Sequence, residues 1–279
     1  MINLCMSTYY HDPKKTRAEK EEEDADIQGK IEQIRVTFPR AGYRPLLHHM
    51  RRNGVHIGER KLRRVLKKFG LQIRPLRKFI NTTDSNHNHR CYPNLLPELT
   101  VTGINQVWAS DITYIRIENG FVYLAVVIDL GSRRVIGWAI SKQIDGDLAL
   151  TALKMAFLRR NPPRGVIHHS DRGVQYLCDK YTGFLHEHGF FISCSRKGNP
   201  YDNAWVESFM KTLKHEEIYA WEYKTYLDVV ENLPYFIEEV YNKKRLHSSL
   251  GYLPPEEFEK ILKIKYEDKQ LDGQPKFTL

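Results

Sequence analysis

Apolar residues recur along this chain in two rhythms, and the rhythm changes near residue 100. Upstream, Ile27, Ile31 and Ile34 repeat at helical spacing behind the charged run KKTRAEKEEEDAD, which predicts one charged amphipathic helix within residues 14–37. Leu46, Leu47 and Met50 predict a short second helix, and Leu62, Val65, Leu66 and Phe69 a third, with Asn53-Gly54 punctuating the pair. This layout is that of a helix-turn-helix. Its last helix leaves Arg60, Lys61, Arg63, Arg64, Lys67 and Lys68 on the outer face, where cations would neutralise nucleic-acid phosphates. An ordinary solvated helical hairpin has the same pattern.

Residues 76–100 are polar and proline-punctuated without a sustained period, and read as a linker. His87, His89 and Cys91 fall there, but they lack a fourth spaced ligand, which argues against zinc. From Val107 the texture becomes that of strands: VWASDITYIRI, a turn at Asn119-Gly120, FVYLAVVIDL, a turn at Gly131-Ser132, then RRVIGWAIS. Helices are predicted over 145–160 and 175–188, alternating with short strands in GVIHH and FFISC. Three antiparallel strands followed by alternating helices and strands describe an α/β domain, a mixed five-stranded sheet with flanking helices of the ribonuclease-H-like kind. The expected organisation is a helical, helix-turn-helix-like region at 1–75, a linker at 76–100, a catalytic core at 101–265 and a tail at 266–279.

Composition adds a polyanionic partner. Lys plus Arg total 43 against 34 acids, a formal net charge of +9, which favours nucleic acid although a modest basic excess also serves solubility. The four cysteines form no CxxC pair, so neither a zinc ribbon nor a disulfide framework is suggested, and a reducing compartment fits. No apolar run has the length of a membrane span and the amino terminus lacks the features of a signal peptide, so the expected location is cytoplasmic.

Candidate chemistry rests on three acids in distinctive surroundings: Asp111 in VWASDITYI, Asp171 in HHSDRGVQY and Glu207 in SRKGNPYDNAWVESFMKTLKHE. Carboxylates suit Mg²⁺, a hard cation, and two such ions about 3.5–4 Å apart stabilise the attacking and leaving oxygens of an in-line displacement. Asp111 is expected within the first strand, Asp171 beyond the fourth and Glu207 on a following helix. Lys211 and Lys214 share the helical face of Glu207 and would hold a DNA strand across the metals. His169, Arg172, Gln175 and Tyr176 flank the second carboxylate, where they would contact phosphate or order the loop. Asp202 and Asn203 are expected to cap the Glu207 helix. Asp129 is a weaker candidate ligand, at what reads as a strand exit.

These sentences carry a family resemblance. GYR at 42–44, WASDITYI at 108–115, HSDRGVQY at 169–176, SRKGNPYDNAWVESF at 195–209, LKHE at 213–216 and YNKKRLHSSLGYLPP at 241–255 resemble the IS-three family of bacterial insertion-sequence transposases, specifically their downstream catalytic frame. More broadly the chain is similar to retroviral-integrase-like DDE recombinases. The opening STYYH at 7–11 is also similar, so nearly the whole chain is covered.

The resemblance implies that Asp111, Asp171 and Glu207 bind two Mg²⁺, with Mn²⁺ able to substitute. It further implies that water cleaves one strand at a transposon end, that the freed 3′-hydroxyl then attacks a phosphodiester in strand transfer, and that one end is joined to the other in a circular intermediate that is inserted elsewhere, without a covalent protein–DNA link. The expected partners are transposon-end and target DNA, further copies of the chain on that DNA, and an upstream-frame DNA-binding protein; the expected setting is the bacterial nucleoid. Tyr241, Asn242, Arg245 and His247 match a family signature, but their spacing leaves open whether they pack on the core or reach DNA. Alternatives are a structure-directed nuclease of the same fold, which would cut without joining, and a non-catalytic DNA-binding partner or repressor.

Overall fold

The computed structural model describes residues 16–73, 91–97, 99–196 and 200–272, which fall into two compact units, Met1–Pro75 and Leu76–Leu279. His87, His89 and the STYYH stretch lie outside the described residues, as does most of the expected linker.

In the first unit, α1 (Arg17–Thr37) begins at Thr16, whose hydroxyl accepts from the Glu19 amide while the Glu19 carboxylate accepts from the Thr16 amide. This reciprocal pair satisfies two of the donors that a helix start leaves free. Helices α2 (Tyr43–Arg52) and α3 (Glu59–Lys68) bury Leu46, Leu47, Met50, Leu62, Val65 and Leu66 against Ile27, Ile31 and Ile34 of α1. The face of α3 is not a free cationic stripe. Asp24 of α1, 1% exposed, accepts from both terminal nitrogens of Arg64 (2.9 and 2.6 Å) and from Lys68 Nζ (2.9 Å). Burial would raise the pKa of Asp24, but these cations hold it below the ordinary value. Lys61 pairs with Glu23, and Arg63 pairs with Glu59 while stacking over Tyr43 at 3.9 Å. Arg60 and Lys67 remain exposed, without an ion pair among the described residues.

The second unit is built on a five-stranded sheet in the order β3-β2-β1-β4-β5. Strands β1 (Val107–Ile117), β2 (Gly120–Asp129) and β3 (Val135–Ser141) pair antiparallel; β4 (Ile167–Ser170) lies parallel to β1, and β5 (Phe191–Cys194) parallel to β4. Gly120 closes the first hairpin at φ 122°, a conformation that favours glycine. From Leu124 to Asp129, β2 is buried without alternation, the mark of a strand covered on both faces. On one face lies α4 (Gly146–Arg160), set so close that a Cβ on Gly137 of β3 would come 2.2 Å from the Ala152 carbonyl oxygen.

The expected single helix over 175–188 is two: α5 (Val174–Leu177) and α6 (Asp179–Glu187). Cys178 breaks the run in an extended conformation, its sulfur lodged where a Cβ on Gly146 would lie 2.7 Å away.

Across the sheet runs α7 (Ala204–Leu213), packed along β1 and continued by a π-helical turn at Lys214–Ile218. Next comes α8 (Tyr226–Tyr235), whose internal Pro234 precedes a second π-helical stretch, Phe236–Tyr241. Such a register change accommodates a residue that cannot donate its backbone bond. The last helix, α9 (Pro255–Asp272), extends beyond the expected core limit at 265. Among the described residues, no helix is long and apolar enough to cross a membrane.

Glu259 fastens α9 to the sheet. Its buried carboxylate accepts from Ser132 (2.6 Å), Arg134 (2.9 Å) and Arg160 (3.0 Å). Burial pushes its pKa up, but Arg160, Ser132 and Arg134 together hold it below the ordinary 4.5. Glu259→Gln is therefore expected to cost about 3 kcal/mol at neutral pH, because it leaves buried guanidinium charge uncompensated. A depressed carboxyl stabilises the fold above its unfolded value and loses that contribution as pH falls through its folded value. Urea denaturation should thus find the two chains converging in stability below pH 4.5.

Candidate active site

The sheet register sets the first two acids side by side. Ala109 of β1 pairs in parallel with His169 of β4, so Asp111 and Asp171, each two residues further on, reach the same level. Asp111 sits inside the β1–β2 ladder opposite Val126, which fixes its backbone. Asp171 opens the loop after β4, and its carboxylate accepts from the Gly173 amide at 2.9 Å. Glu207 is carried to the pair by α7, which lies against β1.

The electrostatics record this convergence. The Asp111 carboxyl is pushed up to about 8, first by burial, then by the charges of Asp171 and Glu207; its bond from the Ile112 amide and the charge of Lys214 act the other way. Each carboxylate turns to a local donor: Asp111 to Ile112, Asp171 to Gly173, and Glu207 toward Lys211 at 3.9 Å. As they stand, no three acid, histidine or cysteine side chains among the described residues converge into a metal-holding cluster. The donor set still suits a hard divalent cation. Burial and the charges of the two other acids together disfavour ionisation at Asp111, and a bound cation would reverse that disfavour.

Behind the acids lies a polar layer that the sequence reading missed. His169 reaches Ser193 through Nδ1 (2.8 Å) and Ser195 through Nε2 (3.0 Å), joining β4 to β5 and the segment after it. His168, on the opposite face of β4, meets the hydroxyls of Ser110 (2.8 Å) and Tyr181 (2.9 Å). Burial drives both rings well below the ordinary histidine value, His168 to about 3 and His169 to about 4, so they act as neutral hydrogen-bonding struts. The alternate-position pair Ser193 and Ser195 was the available signal, since period two puts both on one face of a strand.

Other expected site residues fall as follows. Arg172 donates through Nε to the Ser195 carbonyl (2.9 Å), tying the Asp171 loop to the segment leading toward α7. Tyr176 is buried, its phenol pushed up by burial and by the charges of Asp111 and Asp171. Lys211 is exposed beside Glu207, whereas Lys214 is partly buried over the Tyr114 ring at 4.8 Å and faces Asp111 electrostatically. Arg60, Lys61, Arg63, Arg64 and Lys67 all belong to the first unit.

Asp202 and Asn203 do not cap α7 through their side chains. A 3-10 turn at Pro200–Asn203 runs directly into the helix, and Asp202 instead accepts from the Arg196 amide (2.9 Å) and guanidinium (3.1 and 3.0 Å). Asp129 is a turn-closing group rather than a neighbour of the three acids, accepting from the amides of Asn105, Gly131 and Ser132.

The Tyr241–His247 signature packs on the core. Asn242, fully buried, accepts from the Val135 amide (3.0 Å) and donates to the Val135 carbonyl (2.9 Å), completing the edge of β3. Tyr241 meets Phe209 of α7 edge-on at 4.8 Å, and Arg245 grips Glu216 through two nitrogens at 2.9 Å each. The segment is thus a buttress for the helix carrying Glu207.

With this geometry in view, sequence comparison is decisive. Residues 102–200 match the integrase core domain family, and a second integrase core domain profile matches residues 188–255. An uncharacterized 31 kDa protein of insertion element IS600 from Shigella sonnei is 37% identical over 263 residues, 92% of this chain and 96% of that one. The transposase InsF of insertion sequence IS3A from Escherichia coli K12 is 41% identical over 221 residues, 79% of this chain and 77% of its own length. The chain belongs to the IS-three (IS3) family of insertion-sequence transposases. A chain of the simian T-cell lymphotropic virus intasome aligns over 89% of this transposase and 76% of its own length, at 14% identity and a TM-score of 0.48.

Gly173 offers a test of the loop. A Cβ there would lie 2.8 Å from Gln175 Oε1, a flexible side-chain end, and 3.0 Å from Asp171 Oδ1. Gly173→Ala should barely move the thermal midpoint while lowering strand cleavage by roughly tenfold or more, the outcome expected of a candidate catalytic carboxylate displaced by about 1 Å.

Proposed function

We propose that this transposase cleaves transposon-end DNA and transfers the freed strand by phosphoryl transfer at Asp111, Asp171 and Glu207, with Mg²⁺ as the metal and Mn²⁺ able to replace it. The observation that carries the reading is the raised Asp111 carboxyl: two further carboxylates, from a loop and a helix, are brought within electrostatic reach of a half-buried one on a strand. Divalent ions bound there supply charge neutralisation and Lewis-acid polarisation of the scissile phosphate.

The chain's own residues supply position. Asp111 is fixed by the sheet, Asp171 by a loop anchored through Arg172 to Ser195, and Glu207 stands on a buttressed helix with its side chain 36% exposed and able to swing inward. Lys211 offers a cation beside that carboxylate for a DNA phosphate. Tyr176 is a poor nucleophile, because burial and the neighbouring carboxylates oppose its ionisation; this favours attack by water and by a DNA hydroxyl over a covalent protein–DNA link. In the first unit, Arg60 and Lys67 are the cations of α3 most available to DNA, since Arg63 is paired with Glu59. Arg64, Lys61 and Lys68 are already matched by Asp24 and Glu23. Processing two ends calls for more than one copy on DNA, within the cytoplasm, with the upstream-frame protein as a further partner in end recognition.

The test uses a transposon-end oligonucleotide with Mg²⁺. Asp171→Asn and Glu207→Gln are each expected to lower cleavage and joining by at least about 100-fold while DNA binding persists. A second readout needs no turnover: Mg²⁺ should raise the melting temperature of the unaltered chain but not that of Asp171→Asn. Unchanged cleavage in either variant refutes the assignment.

A further inference from the structure

The turn between β2 and β3 is held on every side. Asp129 accepts from the amides of Gly131 (2.9 Å) and Ser132 (3.3 Å), and the Ser132 hydroxyl and Arg134 both bond Glu259. Gly131 is pressed so close to Gly103 that a Cβ would meet the Gly103 carbonyl oxygen at 2.1 Å. Between these anchors Arg133 adopts φ 61°, a left-handed conformation that glycine would take without strain. Strain of this kind persists where the surroundings enforce it, and it clusters at functional positions.

The Arg133 side chain is as unusual as its backbone. It is half-buried, and that burial lowers its pKa, yet no carboxylate or carbonyl among the described residues pairs with it. Its guanidinium instead sits over the Trp205 ring, 5.5 Å from the centroid. The charge beneath is not balanced locally either. Arg245 is already matched to Glu216, and the adjoining His247 has a buried Nε2 without a partner. Trp205, 40% exposed, stands two residues before Glu207 on α7, about 3 Å earlier along the helix axis and about 200° around it, so the two side chains lie on different faces of the helix.

We propose that Arg133 and Trp205 form a subsite for one nucleotide of the DNA strand beside the three acids, with the phosphate on the guanidinium and the base face on the indole. The inference rests on the DNA-processing reading above and adds to it a grip outside the carboxylates. An unmatched, desolvated guanidinium makes a strong charge-assisted bond to phosphate oxygens. An exposed indole stacks on any base, so such a subsite holds the strand regardless of sequence. An acidic peptide would satisfy the cation but leave the indole unused.

The experiment measures affinity of the full chain for transposon-end DNA carrying a single-stranded overhang, across a salt series. Arg133→Gln should reduce the slope of log affinity against log salt by about one phosphate contact. Trp205→Leu should weaken binding about tenfold without changing that slope. Arg133→Gly separates binding from folding: it relaxes the left-handed backbone, so it should melt at or above the temperature of the unaltered chain while losing the same salt-dependent contact. Melting of Arg133→Gly well below the unaltered chain, or unchanged binding by Arg133→Gly and Trp205→Leu, would mark the pair as structural and overturn the subsite. Wild-type binding and cleavage alongside those results would leave the transposase reading standing; absence of DNA binding by the unaltered chain would remove both.

Discussion

Mutual repulsion among three carboxylates is the constraint around which the second unit is arranged. Left to themselves these groups would separate into solvent; the Asp111 carboxyl is raised first by its burial and then by the charges of Asp171 and Glu207. Each is held by a different means: Asp111 by a ladder bonded on the β2 side, Asp171 by a parallel register two residues upstream, Glu207 by a helix laid along β1. Rigidity decreases through that series, from strand to loop to partly exposed side chain. The least fixed of the three, Glu207, is also the one with a lysine beside it, Lys211 at 3.9 Å.

Holding α7 in place takes a second set of contacts remote from the acids. Asn242 completes β3 with backbone-like bonds, Tyr241 packs edge-on against Phe209, and Arg245 grips Glu216 just past the end of α7. Glu259 then ties α9 to the turn after β2 and to the end of α4. A buried ion pair is weak evidence for net stability, because desolvation offsets much of its attraction. Its value here is geometric: a charged pair tolerates few alternative packings, so α7 has few places to drift.

Much of this was legible along the chain, for identifiable reasons. Strand-like apolar runs either side of Asn119-Gly120 located the first hairpin, and helical spacing of isoleucine and leucine located α1 to α3, because both signals are local. The three acids were legible from their neighbours in sequence. Long-range pairing was not. Nothing near Asp24 announces that it is buried under Arg64 and Lys68, so the α3 face read as wholly available cation. Whether Asn242 packs on the core or reaches DNA is open until Val135 is placed beside it, and the break at Cys178 sets its sulfur against Gly146, a neighbour more than thirty residues away in the chain. Asp202 looked like a cap since Asp favours that position, but a charged partner six residues earlier competes successfully for it.

The net charge of +9 therefore overstates how evenly positive potential is spread. Arg64, Lys68, Lys61, Arg134, Arg160 and Arg245 are matched to acids within their own units, and contribute little beyond a Debye length of about 8 Å at physiological salt. Among the cations without an acidic partner in the described residues are Arg60 and Lys67 on α3 and Arg133 over Trp205, while Lys211 lies 3.9 Å from Glu207. In the second unit both of the named cations flank α7, one toward the acids and one toward the β2–β3 turn. A polyanion held by both would therefore run along α7, past Glu207.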